Sequence, residues 1–341
     1  MTGTAHLVAT AFAALAAFLV PHATFAEPFR LVITDLSAPL VPNSVMELAK
    51  TLGYFEREGV DVELVRVQQT PTAVAALRAG EGDMANVAVE ATLLLVARKQ
   101  LGVKAVVSPN KSLPFLIAAK QEIADPSALA GHSFGVGRIG SLDYSLSTKV
   151  VGALGAAVEK IDFVSIGQPN VRAQALAAGR IDATTMSIGV WLALPDKAGL
   201  GVLVSADDYY AMAPVVNKVN IVTDDVLKTR RDEVAAVVRA LIRISRDFAA
   251  HPEQWVDAMA TARPDISRTD LARLAENFRE SWSINGGLSR TELEYTQDWL
   301  YATPDFAQLQ NVPISDWVDF SIVDGILATE GTAPGFDEPT R

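Results

Sequence analysis

Short apolar runs alternate with amphipathic segments along most of the chain. FRLVITDL (residues 29–36) predicts an opening strand, followed by a Pro- and Ser-rich loop from Ser37 to Asn43. A helix is predicted from about Ser44, with Asn43 or Ser44 available to cap it. It carries Val45, Leu48, Leu52 and Phe55 on one face and stops at Gly59. Strands are then predicted at 60–67, 84–89 and 103–107, separated by helices at 72–79 and 91–100. This β-α-β-α-β rhythm requires crossover connections and a largely parallel sheet.

A strand at 115–119 leads into a second unit of the same kind. Its predicted strands lie at 133–136, 161–166 and 181–186, with helices at 141–154 and 171–178. The chain then returns through residues 214–222 and becomes helical. Val234, Val237, Val238, Leu241, Ser245 and Phe248 form a stripe at helical spacing, with Arg239, Arg243 and Arg246 on the opposite, solvated face. Shorter helices are predicted around 253–260, 268–280 and 290–301, and the closing GTAPGFDEPTR reads as a frayed tail.

One phrase is written twice: ALRAGEGD from Ala76 to Asp83 and ALAAGRID from Ala175 to Asp182. Each copy reads as a last helical turn, a glycine suited to the left-handed conformation, a short turn and then a buried strand. A single copy is ordinary capping chemistry. Two copies at one spacing, one in each half of an α/β chain, point to two similar lobes with a cleft between them.

The uncharged apolar run at residues 7–20, followed by the small residues ATFA, has the length of a secretory leader rather than a membrane span, with cleavage expected after Ala26. Half of the residues are hydrophobic, so a large core is available without disulfides, and cysteine is absent. That composition excludes thiolate metal sites, cysteine nucleophiles and a lipidated N-terminal cysteine. A net charge of −11 argues against nucleic acid or an anionic membrane surface as partner. The four histidines fall at His6, His22, His132 and His251. No Ser-His-Asp order, HExxH spacing or phosphate loop accompanies them, so nucleophilic, zinc-hydrolase and nucleotide chemistry lack support and no cofactor is expected.

ELAKTLGYFEREGVDVELV (residues 47–65), with Gly53, Tyr54, Phe55, Glu56, Gly59, Val60, Asp61 and Val62 at its key positions, resembles one family. Together with AVAALRAGEGDMANV, SFGVGRIGSLDYSL and FAAHPEQWVDAMA, it is similar to the NMT1-like substrate-binding proteins of ABC importers for sulfonates, taurine, nitrate and thiamin-pyrimidine precursors. The resemblance implies a type II periplasmic-binding-protein fold, two α/β lobes joined by a hinge. Lobe 1 comprises residues 27–112 and 215–341, and lobe 2 residues 113–214. It also implies a periplasmic, monomeric receptor that captures a small organic ligand and hands it to an inner-membrane permease, without catalysis. The alternative is an enzyme of the same fold acting on a pyrimidine or small aromatic precursor.

In such lobes ligands gather where strand ends lead into helix N-termini, which present free N–H groups and partial positive charge. The corresponding loops place Ser37, Thr70, Val89, Glu90 and Asn110 in lobe 1 as expected ligand contacts, and Gly140, Ser141, Tyr144, Gln168 and Ser187 in lobe 2. Gly140 and Ser141 are the leading pair, because a glycine admits a ligand to the backbone and a serine offers both hydroxyl and N–H. Arg138 and Arg172 are the cations that could neutralise an anion. Where the family often carries an aromatic-acid-proline cluster, this chain has Met186, Ser187 and Ile188, so sulfonate or nitrate specificity does not transfer.

Overall fold

The computed structural model describes residues 27–110 and 115–335, together with Asp337; the expected leader lies outside the described residues. Ten strands form two five-stranded sheets. In chain order they are β1 (Phe29–Ile33), β2 (Val62–Arg66), β3 (Met84–Ala88), β4 (Val103–Val107), β5 (Phe115–Lys120), β6 (Ser133–Val136), β7 (Asp162–Ser165), β8 (Ala183–Ser187), β9 (Leu200–Val204) and β10 (Lys218–Thr223). The first sheet runs β2-β1-β3-β10-β4 and the second β7-β6-β8-β5-β9. Position for position, the two orders are the same.

The predicted largely parallel sheets need one correction. β10 runs antiparallel to both β3 and β4, and β5 runs antiparallel to both β8 and β9. The physical reason is the direction of arrival. Each of these strands enters its sheet from the other unit, at the edge where the parallel strands end, and can only run back from that edge.

The repeated phrase acquires a specific role. Gly80 and Gly179 both adopt φ +69, the left-handed value that costs a glycine nothing. The next N–H closes each helix, from Glu81 to Ala76 O and from Arg180 to Ala175 O, both at 2.9 Å. Each final aspartate then turns to the first strand of its sheet: Asp83 accepts from Arg30 N at 2.7 Å, and Asp182 from Ser133 N at 2.8 Å. Asp182 also receives Lys120 Nζ and the Ser133 hydroxyl. Burial pushes its carboxyl up, but these donors outweigh it and hold the group well below the ordinary carboxylate range. Since its folded pKa is depressed, its contribution is complete above the unfolded value near ~4 and fades as pH falls toward the folded one. Asp182→Asn is expected to lower unfolding free energy by roughly 2 kcal/mol at neutral pH, and by less in acid, as read by urea denaturation.

Helices that follow β10 pack around the first sheet. The long helix Arg231–Ala250 buries its predicted stripe. Its arginine face is not merely solvated: Arg239 and Arg243 both pair with Glu58, Arg243 reaches Glu330 at 2.8 Å, and Arg246 donates to Ile284 O. The predicted helix ending at Gly59 is broken in two, Val45–Thr51 and Tyr54–Arg57, because Gly53 takes φ +73 between them. The break swings Leu52 out of the expected face, to 39% exposure. The expected frayed tail is also corrected in part: Asp337 is 4% exposed, and its carboxylate accepts from Asn285 N at 2.7 Å and Gly287 N at 3.1 Å.

Candidate functional site

A cleft of about 840 Å³ opens between the two sheets. Its walls come from the loops after β1, β2 and β4 and the start of β10 on one side. On the other they come from the start of β5 and the loops after β7 and β8. All are the edges at which the parallel strands end, where backbone N–H groups and helix N-termini are left for a ligand.

The loop after β1 is held by polar contacts that reach into the core. Asn43 Nδ2 donates to Asp35 Oδ2 at 3.0 Å and to Asn86 Oδ1 at 3.3 Å, and Asn86 Nδ2 donates to Asn220 Oδ1 at 2.8 Å. Asn43 and Ser44 do not cap the helix as expected: Asn43 is spent on this ladder, and Ser44 Oγ accepts from the Trp255 indole at 2.9 Å. Arg263 fastens the same loop through Ala38 O at 3.0 Å. At the floor, Lys218 Nζ donates to Thr34 Oγ1 at 2.7 Å; burial pulls its pKa down and the nearby Asp35 carboxylate works against that.

Five of the ten expected contacts line this cleft: Ser37, Thr70, Asn110, Gln168 and Ser187. Thr70 Oγ1 accepts from Ala88 N at 3.3 Å, tying the helix Thr70–Arg78 to the end of β3. Ser187 Oγ accepts from Val190 N at 3.3 Å and caps the helix Ile188–Ala193. Gln168 opens the helix Pro169–Ala177 without capping it by its side chain, and Asn110 is a buried amide at the floor.

The other five lie outside the lining. Val89 is fully buried, with its N–H on Asn217 O at 3.0 Å, because the helix it begins starts two residues earlier than expected. Glu90 sits in the first turn of that helix, Val89–Ala97. Gly140 takes φ +79 and turns the chain into the helix Leu142–Ala153. Ser141 caps that helix, accepting from Tyr144 N at 3.3 Å and donating to Arg138 O at 2.7 Å. Tyr144 packs edge-on against Phe163, ring centroids 5.0 Å apart.

Arg172 is neither a cleft cation nor a surface residue. It is 3% exposed and donates to Thr184 Oγ1 at 3.0 Å, Asp143 Oδ1 at 3.1 Å, Thr185 O at 2.9 Å and Gly167 O. Burial raises the Asp143 carboxyl pKa, with Arg172 and the Gly137 N–H opposing it. Arg138 is exposed and donates to Ile139 O. The residues that sequence reasoning missed are Asp35, Lys218 and Arg263, with Asn43 assigned a different task. None of them carries a local signal: even the lysine that opens the return strand KVNIVT is ordinary in its own segment.

The two sides of the cleft touch at Leu40 and Gly189. A Cβ on Gly189 would stand 2.4 Å from Leu40 O and 2.6 Å from Leu40 Cβ, so only glycine permits this approach.

Residues 44–255 match the NMT1/THI5-like family. No curated protein sequence matches the chain. Among solved structures, the ligand-binding component of an ABC-type import system from Staphylococcus aureus, solved with zinc bound, superposes with a TM-score of 0.68 at 17% identity, covering 88% of this chain and 98% of that one. The alkanesulfonate-binding protein SsuA from Xanthomonas axonopodis pv. citri, bound to MOPS, gives 0.67 at 18% identity, covering 86% and 99%. The desulfurization enzyme DSZB gives 0.62 at 16% identity, covering 89% and 99%. These likenesses establish the periplasmic-binding-protein fold.

Proposed function

The chain belongs to the NMT1/THI5-like family, and from that premise we propose that it is the solute-binding component of an ABC importer. In this reading residues 27–112 and 215–341 form lobe 1, residues 113–214 form lobe 2, and the leader at 1–26 is removed on export. The mature protein works outside the cytoplasm as a monomer, and its macromolecular partner is a membrane permease. The ligand is a small organic molecule held between the lobes, touching Ser37, Thr70, Asn110, Gln168 and Ser187.

The observation that carries the reading is the construction of the cleft. Loops from both sheets supply its walls, so only the closed arrangement contacts a ligand from both sides, and binding shifts the open–closed balance. The fold is shared with an enzyme, so the lining has to decide. Among the described residues it contains no histidine, and the chain contains no cysteine, so this lining offers no thiol or imidazole for nucleophilic catalysis. Capture without conversion is the chemistry these residues support.

A bound ligand stabilises the folded state by mass action, about 2.7 kcal/mol at a hundredfold excess over Kd, which should raise Tm by a few degrees. Native mass spectrometry of protein purified from its own host is expected to reveal a co-purifying small molecule, and the same molecule should give the thermal shift. A compound released chemically altered would overturn the receptor reading.

A further inference from the structure

Both passages between the sheets meet the first sheet at one point on the cleft floor. Asn110 follows β4, just before the first passage, and Lys218 opens β10, just after the second. Ser108 Oγ donates to Lys218 O at 2.7 Å and stitches the two segments side by side. At this point the polar groups are conspicuously unmatched. Asn110 is 1% exposed and lines the cleft, yet among the described residues neither its Oδ1 nor its Nδ2 has a hydrogen-bond partner. Buried amides are seldom left so, because each unmade bond carries a desolvation cost.

The neighbouring charges are also unbalanced. Lys218 Nζ has Thr34 Oγ1 as its hydrogen-bond acceptor and makes no ion pair within 4.0 Å among the described residues. Two other charged side chains line the cleft. The Asp35 carboxylate accepts from Asn43, and Arg263 is committed to Asp265 and Ala38 O. The floor therefore presents one half-buried ammonium and one unfulfilled amide, in a cleft whose apolar lining includes Leu40, Phe115, Val190 and Leu194.

We infer that Lys218 and Asn110 together receive the oxyanion of the bound solute, a carboxylate or sulfonate, while its apolar body lies against those four residues. The inference rests on the solute-binding reading and adds to it the chemical class of the ligand and where its charge is read. Lys218 Nζ donates to one oxygen and Asn110 Nδ2 to another. Because the two residues belong to the two passages, the acid group bridges the segments about which the lobes hinge. A neutral analogue of the same skeleton fills the same space but brings no negative charge to the ammonium, which then has only the more distant Asp35 carboxylate.

The test is a set of matched pairs, each an acid and the amide of the same skeleton: benzoate and benzamide, cyclohexanecarboxylate and its amide, butanesulfonate and butanesulfonamide. Each is titrated calorimetrically into the purified wild-type protein, Lys218→Met and Asn110→Leu, after ligand removal by unfolding and refolding. In the wild type, at least one acid binds and its amide binds roughly tenfold weaker or worse, the scale of one charge-assisted contact. In Lys218→Met that preference disappears, while the ligand-free variant melts no lower than wild type, since a desolvated charge has been removed. Asn110→Leu weakens the same acid. Amides bound as tightly as acids, or a preference that survives Lys218→Met, overturn the inference and leave the receptor reading standing. Conversion of the bound compound, followed by mass spectrometry, overturns the receptor reading instead. Failure of every compound to bind the wild type counts against both.

Discussion

Arg172→Ala is expected to destabilise the protein by about 3–5 kcal/mol, the usual consequence of stripping one partner from a buried ion pair. The guanidinium fills a site under β8, where it joins Asp143, the Thr184 hydroxyl and two backbone carbonyls. Removing it leaves the Asp143 carboxylate with the Gly137 N–H, at 2.7 Å, as its one remaining bonded donor among the described residues. The double variant Arg172→Met with Asp143→Leu should recover most of the loss, because neither charge then needs solvation. Urea denaturation of the wild type, both single variants and the double variant measures the coupling. A double-variant loss equal to the sum of the single-variant losses would show that the charge pairing contributes nothing. The expected phenotype is unfolding of the second sheet and its helices, and not a selective loss of ligand affinity.

Gly189→Ala is expected to do the reverse: to spare the fold and spoil binding. Its methyl group would collide with the Leu40 backbone across the cleft, at 2.4 Å from the carbonyl oxygen. Within its own helix alanine is the better helix former, so the local cost is small. The collision penalises only the arrangement in which the two lobes touch. If the closed state falls to roughly one part in a hundred, apparent Kd rises about a hundredfold. Small-angle scattering should show a larger radius of gyration for the variant, with unchanged far-ultraviolet dichroism. Wild-type affinity in Gly189→Ala would refute the idea that this contact belongs to the ligand-gripping state.

Where the sequence was legible, hydrophobic spacing and glycine chemistry made it so. The strand at 29–33, the twin joints at Gly80 and Gly179 and the long amphipathic helix could each be read from their own residues. The two antiparallel strands were read as strands but not by direction, since direction is set by where the chain comes from and not by local pattern. The site was half legible for the same reason. Loop position alone places Ser37, Thr70, Gln168 and Ser187 at the cleft. Nothing local distinguishes a serine that greets a ligand from one that caps a helix, and Ser141 is the latter. Arg172 looked like a candidate for anion binding because a one-dimensional reading cannot see Asp143 waiting beneath it. Lys218 was overlooked because a single lysine beside apolar residues is ordinary in a strand that ends at a surface. Its meaning comes from Asn110 and Ser108, which lie more than a hundred residues away in the chain.

The strand order carries a consequence for how this polypeptide acquires its shape. β10 lies between β3 and β4, so the interior of the first sheet is filled by its last-synthesised member. A nascent chain that has emerged only as far as residue 210 already possesses all five members of the second sheet. Its first sheet is at that moment two fragments, β2-β1-β3 and a solitary β4, with nothing to join them. Closing that gap pairs segments separated by more than a hundred positions, an intrinsically slow kind of step in folding. The N-terminal half must therefore wait, unfinished, for a late insertion that only the arrival of β10 can supply.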